Sequence, residues 1–443
     1  MKLENLLELI ENKKYKQLNE ILVNYNPVDI SELLEELDTK EQAIIFRMIE
    51  KSKAAEVFSY LDIDYQKQLV KAFTDREISQ IIELMYTDDS VDFLSEMPSN
   101  FVNRLLNYVD SETRHDINQL LKYPKDSAGS IMTVEYVSLK EEMTVKEALA
   151  EIKAKAINSE TIYTCYVTER RKLLGIVSAK SLIINDENTL IKDIINRNFI
   201  SVNTNDDKED VANLFKKYGF IAIPVVDSEN CMVGIVTIDD AIEVLHDETT
   251  EDMNKMAGIT SDDRSYINKS VWDHAKHRIM WLLILMLSAT ITGTIIANYE
   301  HAFSAIPLLV AFIPMLMDTG GNCGSQSATL VIRGLTTGEL SFSDIFKIIW
   351  KEFRVSIVVG IALALVNGIR MMFMYNDLQM AIVVSSSLAF TIVFAKFIGA
   401  ILPLLADKAK LDPAIMASPL ITTVVDAFSI SIYFKIATTF FKL

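Results

Sequence analysis

The sequence predicts a multidomain chain: an all-α superhelical N-terminal domain, an α/β tandem pair, a long connecting helix and an α-helical membrane domain with five transmembrane helices. Three observations predict it. Residues 30–122 repeat an apolar register every 24 positions, residues from about 131 hold two versions of one strand–strand–helix pattern, and five long apolar segments follow residue 270. The boundaries read as 1–130, 131–250, 251–273 and 274–443, and a chain of 443 residues has room for such a division.

The N-terminal stretch "MKLENLLELIENKKYKQL" is an amphipathic helix with acids throughout and no apolar core, so it is not a secretory signal. The soluble half is therefore expected in the cytoplasm. In the repeat, Leu33, Val57, Ile81 and Leu105 share one register, and Leu37, Leu61, Met85 and Val109 another. Asp38, Asp62 and Asp110 recur with them, and Tyr86 breaks that series. Helical apolar spacing at this period predicts a solenoid of short helix pairs, whether as scaffold or as regulator.

"TIYTCYVTERRKLLGIVSAKSLI" and "FIAIPVVDSENCMVGIVTIDDAI" each hold an apolar strand, a turn, a second strand ending in Gly-Ile-Val-[Ser/Thr] and a helix. With their openings "IMTVEYVSL" and "IINRNFISV", two tandem βαββα-type copies resemble a CBS-domain pair. In nucleotide-binding pairs of that family a Thr/Ser-x-x-Asp after the second strand holds a ribose. Thr237-x-x-Asp240 keeps the spacing, which makes ATP a candidate ligand; the first copy has Ser178-x-x-Ser181 instead.

Five segments, roughly 278–298, 305–332, 353–375, 379–405 and 412–440, are long and apolar enough to span a bilayer, which takes about 20 helical residues. Lys269, Lys276 and Arg278 precede the first; Arg333, Lys347, Lys351 and Arg354 separate the second from the third; Lys408 and Lys410 separate the fourth from the fifth. These basic clusters all fall on the side of the soluble half, which is then the inside. Five spans place the C-terminus outside a cell membrane.

Acid is concentrated before residue 270, where 31 Lys and Arg face 50 Asp and Glu; after it the numbers are 12 and 10. That balance excludes a nucleic-acid partner. Cys165, Cys231 and Cys323 have no CxxC spacing, which argues against a disulfide framework or a zinc site. No Walker loop, nucleophile elbow or HExxH is present, so the chain is not read as an enzyme.

"YPKDSAGSIMT" (123–133), "TGGNCGSQSATLVIRGL" (319–335) and "DPAIMASPLITTVVD" (412–426) stand in the order and segments expected of the MgtE family of magnesium channels or transporters, which the chain resembles over nearly its whole length. The resemblance implies a homodimer with the pore along the subunit interface. It makes Asp426 the central ion site, doubled across the dimer axis.

The residues themselves point the same way. Mg²⁺ is a hard ion that gives up its waters reluctantly, so a pore for it need only offer oxygens and a charge or two. Asp426 is the one carboxylate inside the last segment, where a purposeless acid would cost about 2.5–3.5 kcal/mol. Lys396 and Lys435 are the residues that could pair with it structurally instead. Ser418 and Thr422 precede Asp426 by eight and four positions, on one helical face. The family pattern often has Asn where this chain has Ser418. Pro419 should free carbonyls toward the ion, and the family resemblance puts Asn322 near its path. Gly320, Gly321 and Gly324 suit close helix packing; Asp318 receives no role, and Thr336 and Thr337 are read as loop.

In the acidic half Asp88, Asp92, Asp207, Glu209, Asp239, Asp240, Glu248, Glu251 and Asp252 are candidate regulatory Mg²⁺ ligands. Crowded carboxylates repel one another unless a cation stands between them. A solvated acidic face is the bland alternative. Under the family resemblance, bound Mg²⁺ holds the cytosolic part compact and the pore shut. Carriage of Co²⁺, Mn²⁺ or Ca²⁺, export, and a CBS-regulated carrier of another solute remain open.

Overall fold

A computed structural model describes residues 8–442 except 11, 13, 261–265, 267, 268 and 417, and leaves out the side chains of residues 303 and 418. The chain divides into two units, Met1–Asp247 and Glu248–Leu443, each taken by itself below.

From Tyr15 onward the first unit has the short helices α1 Tyr15–Leu22, α2 Pro27–Glu35, α3 Thr39–Met48, α4 Lys51–Ser59, α5 Ile63–Val70, α6 Asp75–Ile82, α7 Thr87–Ser95, α8 Ser99–Leu106 and α9 Ser111–Leu120. The repeat has a capping basis. Asp38, Asp62 and Asp110 accept backbone N–H groups as N-caps of α3, α5 and α9, and Asp38 completes a capping box with Glu41. Tyr86, at the same place before α7, caps with no side-chain bond. Gln42 and Gln66 donate to Leu34 O and Phe58 O, both at 2.7 Å, one repeat apart. Helices pack chiefly on the next but one, α2 on α4, α4 on α6 and α6 on α8, which builds one continuous core through Leu34, Phe58, Ile82 and Leu106.

The tandem pair follows. Strand β1 (Tyr136–Leu139) leads through α10 (Val145–Lys155) to β2 (Thr161–Glu169), β3 (Lys172–Ser178) and α11 (Ala179–Ile184). The second copy begins with α12 (Ile191–Ile194), β4 (Val202–Asn203) and α13 (Lys208–Tyr218), then β5 (Ala222–Val226), β6 (Met232–Thr237) and α14 (Ile238–Met256). Each copy is a three-stranded sheet, the first pair of strands parallel and the second antiparallel. The motif glycine has a steric reason in both. A Cβ at Gly175 would stand 2.6 Å from Asn196 O, and one at Gly234 2.6 Å from Thr133 O, where a crossing chain pairs with the strand.

In the second unit the long helices are α15 (Val271–Asn298), α17 (Ile313–Thr336), α18 (Ile345–Tyr375), α19 (Leu378–Lys408) and α20 (Ser418–Phe441), with α16 (Glu300–Ala305) a short connector. Among the described residues four helical stretches are long and apolar enough to cross a membrane: Val271–Asn298, Phe342–Tyr375, Leu378–Lys408 and Pro413–Phe441. Helix α17 has the length but carries polar groups along one side. It packs between α19 and α20, while α18 packs on α19 and α15 on α20.

Three expectations shift. The second segment, read as 305–332, becomes a 3₁₀ turn at Pro307–Phe312 followed by α17, because Pro307 and Pro314 suit helix starts rather than interiors. Thr336 is then the last residue of α17 and Thr337 its C-cap, not loop. The connecting segment read over 251–273 is not one helix: α14 begins in the second copy and ends at Met256, before Gly258 at φ +69°, and Val271 already opens α15 under the cap Ser270.

Candidate functional site

Helix α17 has two unlike faces. Gly320, Gly321, Gly324, Ser327, Ala328 and Val331 are buried against its neighbours. Asp318, Asn322, Gln326, Thr329 and Arg333, spaced by three or four, lie exposed along the other side. Small residues bring the backbones close: a Cβ at Gly399 of α19 would stand 2.1 Å from Gly324 O, and one at Gly321 3.0 Å from Thr422 Cγ2.

Thr422 and Asp426 follow each other by one turn on α20, both half-buried. The hydroxyls of Thr422 and Thr423 donate to Pro419 O at 2.9 and 3.0 Å. The Pro419 carbonyl is thus occupied, and the hydroxyl oxygens keep their lone pairs for a cation. The side chain of Ser418 lies outside the described residues. Asp318 is the ionisable group that acts on Asp426. Among the described residues no base pairs with Asp426; Lys396, considered for that role, is engaged by Ser327 and Glu352 on the far side of α17.

The first unit gathers a second group of acids. Asp88 is 6% exposed at the start of α7, and burial together with Asp240, Asp89 and Glu160 holds its carboxyl well above the usual range. Desolvation and then Glu243 lift Asp89 to about 6; desolvation, Glu243 and Asp240 lift Asp92 to about 7, although its side chain reaches solvent. Asp240 rises to about 7 and Glu160 to about 8, burial again leading and neighbouring carboxylates adding. One oxygen of Glu160 is buried with no hydrogen-bond partner. Among the described residues no three acids, imidazoles or thiols draw together closely enough to hold a bare metal ion. The cluster is loose, and the strongest neighbours of each acid are other carboxylates.

The candidates therefore separate. Asp88, Asp92, Asp239 and Asp240 come together, with Asp89, Glu135, Glu160 and Glu243 beside them. Asp207 is exposed and caps α13 through Glu209 N at 2.8 Å. Glu251 belongs to the second unit, where Lys255 bonds it at 2.6 Å and Asp412 at 2.7 Å. Burial and Asp412 raise Asp252 there, and Glu248 stands one turn before it. Thr237 is buried and donates to Asp240 Oδ2 at 2.5 Å, so that pair is closed on itself.

Family models match in three places: the divalent cation transporter domain of MgtE over residues 313–436, the MgtE intracellular N domain over 25–126, and CBS domains over 128–186 and 191–247. The magnesium transporter MgtE of Thermus thermophilus is 35% identical over 98% of this chain and 97% of its own length. That of Bacillus subtilis is 32% identical over 98% and 96%. Among solved structures, the ATP-bound cytosolic domain of the Mg²⁺ channel MgtE aligns with 55% of this chain and all of its own, at 35% identity and a TM-score of 0.52. The soluble part of a magnesium transporter aligns with 56% of this chain and 97% of its own, at 33% identity and the same score.

Proposed function

The chain belongs to the MgtE family of divalent cation transporters, and from that premise we propose that it takes Mg²⁺ up across the cell membrane through a gated pore. It is a transporter, not an enzyme. The observation that carries the pore assignment is the pairing of an unneutralised acid, Asp426, with a helix whose polar face is left open. Lipid offers no partner to Asp318, Asn322, Gln326 or Thr329. A second copy of the chain, placed against that face, would turn it into the wall of an aqueous path. We therefore read the protein as a homodimer with five spans per subunit, α17 being the fifth despite its polarity, the soluble domains cytoplasmic and the C-terminus outside.

In that path Asp426 attracts the ion, and Thr422, Ser418 and Asn322 offer oxygens to its hydration shell. A hydrated Mg²⁺ asks for no more, since the ion keeps several of its waters. The acid cluster is the gate's sensor. Asp88, Asp92, Asp239 and Asp240 are the inner ligands, Asp207 and Glu209 an outer pair of the same unit, and Glu248, Glu251 and Asp252 a set of the second unit's own. Bound Mg²⁺ removes their repulsion and favours the compact, closed state, which is a ligand binding one of two states preferentially. A loose cluster suits an ion that arrives with its waters. ATP at Thr237 and Asp240 would have to open the bond between them, which makes nucleotide a competitor of the ion at Asp240.

The test is uptake into vesicles reconstituted with the full chain. Asp426→Ala should abolish Mg²⁺ entry while the protein still folds and dimerises. Unchanged entry would remove the pore assignment. Competition by Co²⁺ and Mn²⁺ in the same vesicles decides between a Mg²⁺ pore and a broader divalent carrier.

A further inference from the structure

On the packed side of α17, away from Asp426, lies a charged group that the transport reading does not use. Lys396 of α19 is 5% exposed. Its ammonium donates to Ser327 Oγ at 3.2 Å and stands 3.8 Å from Glu352 Oε2. Ser327 Oγ donates in turn to the same carboxylate oxygen at 2.6 Å. The three residues come from α19, α17 and α18, so one bonded triad joins three helices. Ser327 follows Asp318 by nine residues, about two and a half turns, which sets it opposite the polar stripe.

The middle of that packed face holds Gly320, Gly321, Cys323, Gly324, Ala328 and Val331, with the larger Leu316 and Ile332 toward its ends. The glycines and Ala328 let backbones touch, and apolar contacts of this kind are not directional. An ion pair bridged by a hydroxyl is directional. Within a membrane it is also unforgiving, because removing one member strands the other charge without partner or water.

We propose that Lys396, Glu352 and Ser327 are positioning residues for ion passage: the triad fixes the rotation of α17 so that its polar stripe stays turned to the ion path. On this account the bond sets the direction, and the balance of charge keeps the packed face closed. The flux consequence rests on the transport reading above; the rotation of α17 does not.

Native Cys323 reports that rotation. It is 6% exposed and lies one turn before Ser327 on the same packed face. The full chain in vesicles is treated with N-ethylmaleimide and the modified peptide is read by mass spectrometry, alongside Mg²⁺ uptake per folded protein over a range of Mg²⁺ concentrations. Lys396→Met and Glu352→Gln should each speed Cys323 alkylation about ten-fold and raise the Mg²⁺ concentration for half-maximal uptake. The double variant relieves the stranded charge but lacks the directional bond, so it should recover only part of both readings, and Lys396→Arg should retain most of the protection. If a single variant does not fold, Ser327→Ala and the double variant carry the test, Ser327→Ala moving both readings less far in the same direction. Equal Cys323 protection in all variants, or a double variant no better than the worse single, overturns the proposal. An unaltered chain that takes up no Mg²⁺ counts against the transport reading, and Cys323 protection still decides the triad.

Discussion

The acids of the soluble unit and the acid of the last helix treat charge in opposite ways. Around Asp88, Asp240 and Glu160 many carboxylates share one region, and each pushes its neighbours toward protonation. On α20 a single carboxylate, Asp426, lies half-buried one turn after Thr422, with one acidic neighbour, Asp318. A crowd of acids responds steeply to a cation because every member gains when one arrives. One or two acids attract an ion without trapping it. On the proposed reading, the difference teaches that sensing and passage ask for different densities of charge, and variants can separate them.

The largest separation comes from Asp426. Its change to Ala or Asn should lower Mg²⁺ entry at least about a hundred-fold, while the Mg²⁺-dependent protection of the soluble unit from protease stays as it was. Loss of both together would join the two regions into one site and break the comparison.

Neutralising Asp88, Asp92 and Asp240 together is expected to do the reverse. Entry should persist at millimolar internal Mg²⁺ that silences the unaltered chain, with the rate at low internal Mg²⁺ little changed. Retained closure would move the sensor away from these residues.

A smaller and purely thermodynamic effect follows from pH. The cluster acids have ordinary values near 4 and folded values of about 6 to 8, so the folded state binds more protons than the unfolded one between those limits. Stability of the soluble unit, without divalent ions, should therefore be greatest at the acid end of that window and fall as pH rises through it. Mg²⁺ should raise the melting temperature of the detergent-solubilised chain more at about pH 8 than at about pH 5.5. Equal shifts at the two values would mean that the ion binds elsewhere.

The smallest effect should be that of Thr422→Val. It removes one oxygen and keeps the shape, and a loss of about three- to ten-fold in entry is expected. No loss would leave Asp426 acting without hydroxyl help.

Much of this was legible in the sequence, for identifiable reasons. The 24-residue register is visible because each helix needs a cap and a core face, and Asp38, Asp62 and Asp110 supply the caps. The tandem pair is visible because a crossing chain excludes any side chain at Gly175 and Gly234. Asp426 stands out because acids are costly in an apolar helix. Glu160 does not stand out: it is one acid ahead of a strand, and only the fold brings it to Asp240 and Asp89. Glu352 is missed because apolarity alone starts the third segment at 353, whereas the helix begins at Ile345 and carries Glu352 two turns inside. Lys396 then looks like a partner for Asp426, when its partner comes from another helix.

The measurement closest to the central claim combines the two regions in one chain. Vesicles carrying the Asp88, Asp92 and Asp240 neutralisation are loaded with millimolar Mg²⁺, and entry of external Mg²⁺ is followed with and without Asp426→Ala. The account predicts sustained entry in the first case and none in the second. Entry that survives Asp426→Ala, or an acid-neutralised chain that stays shut, would contradict it.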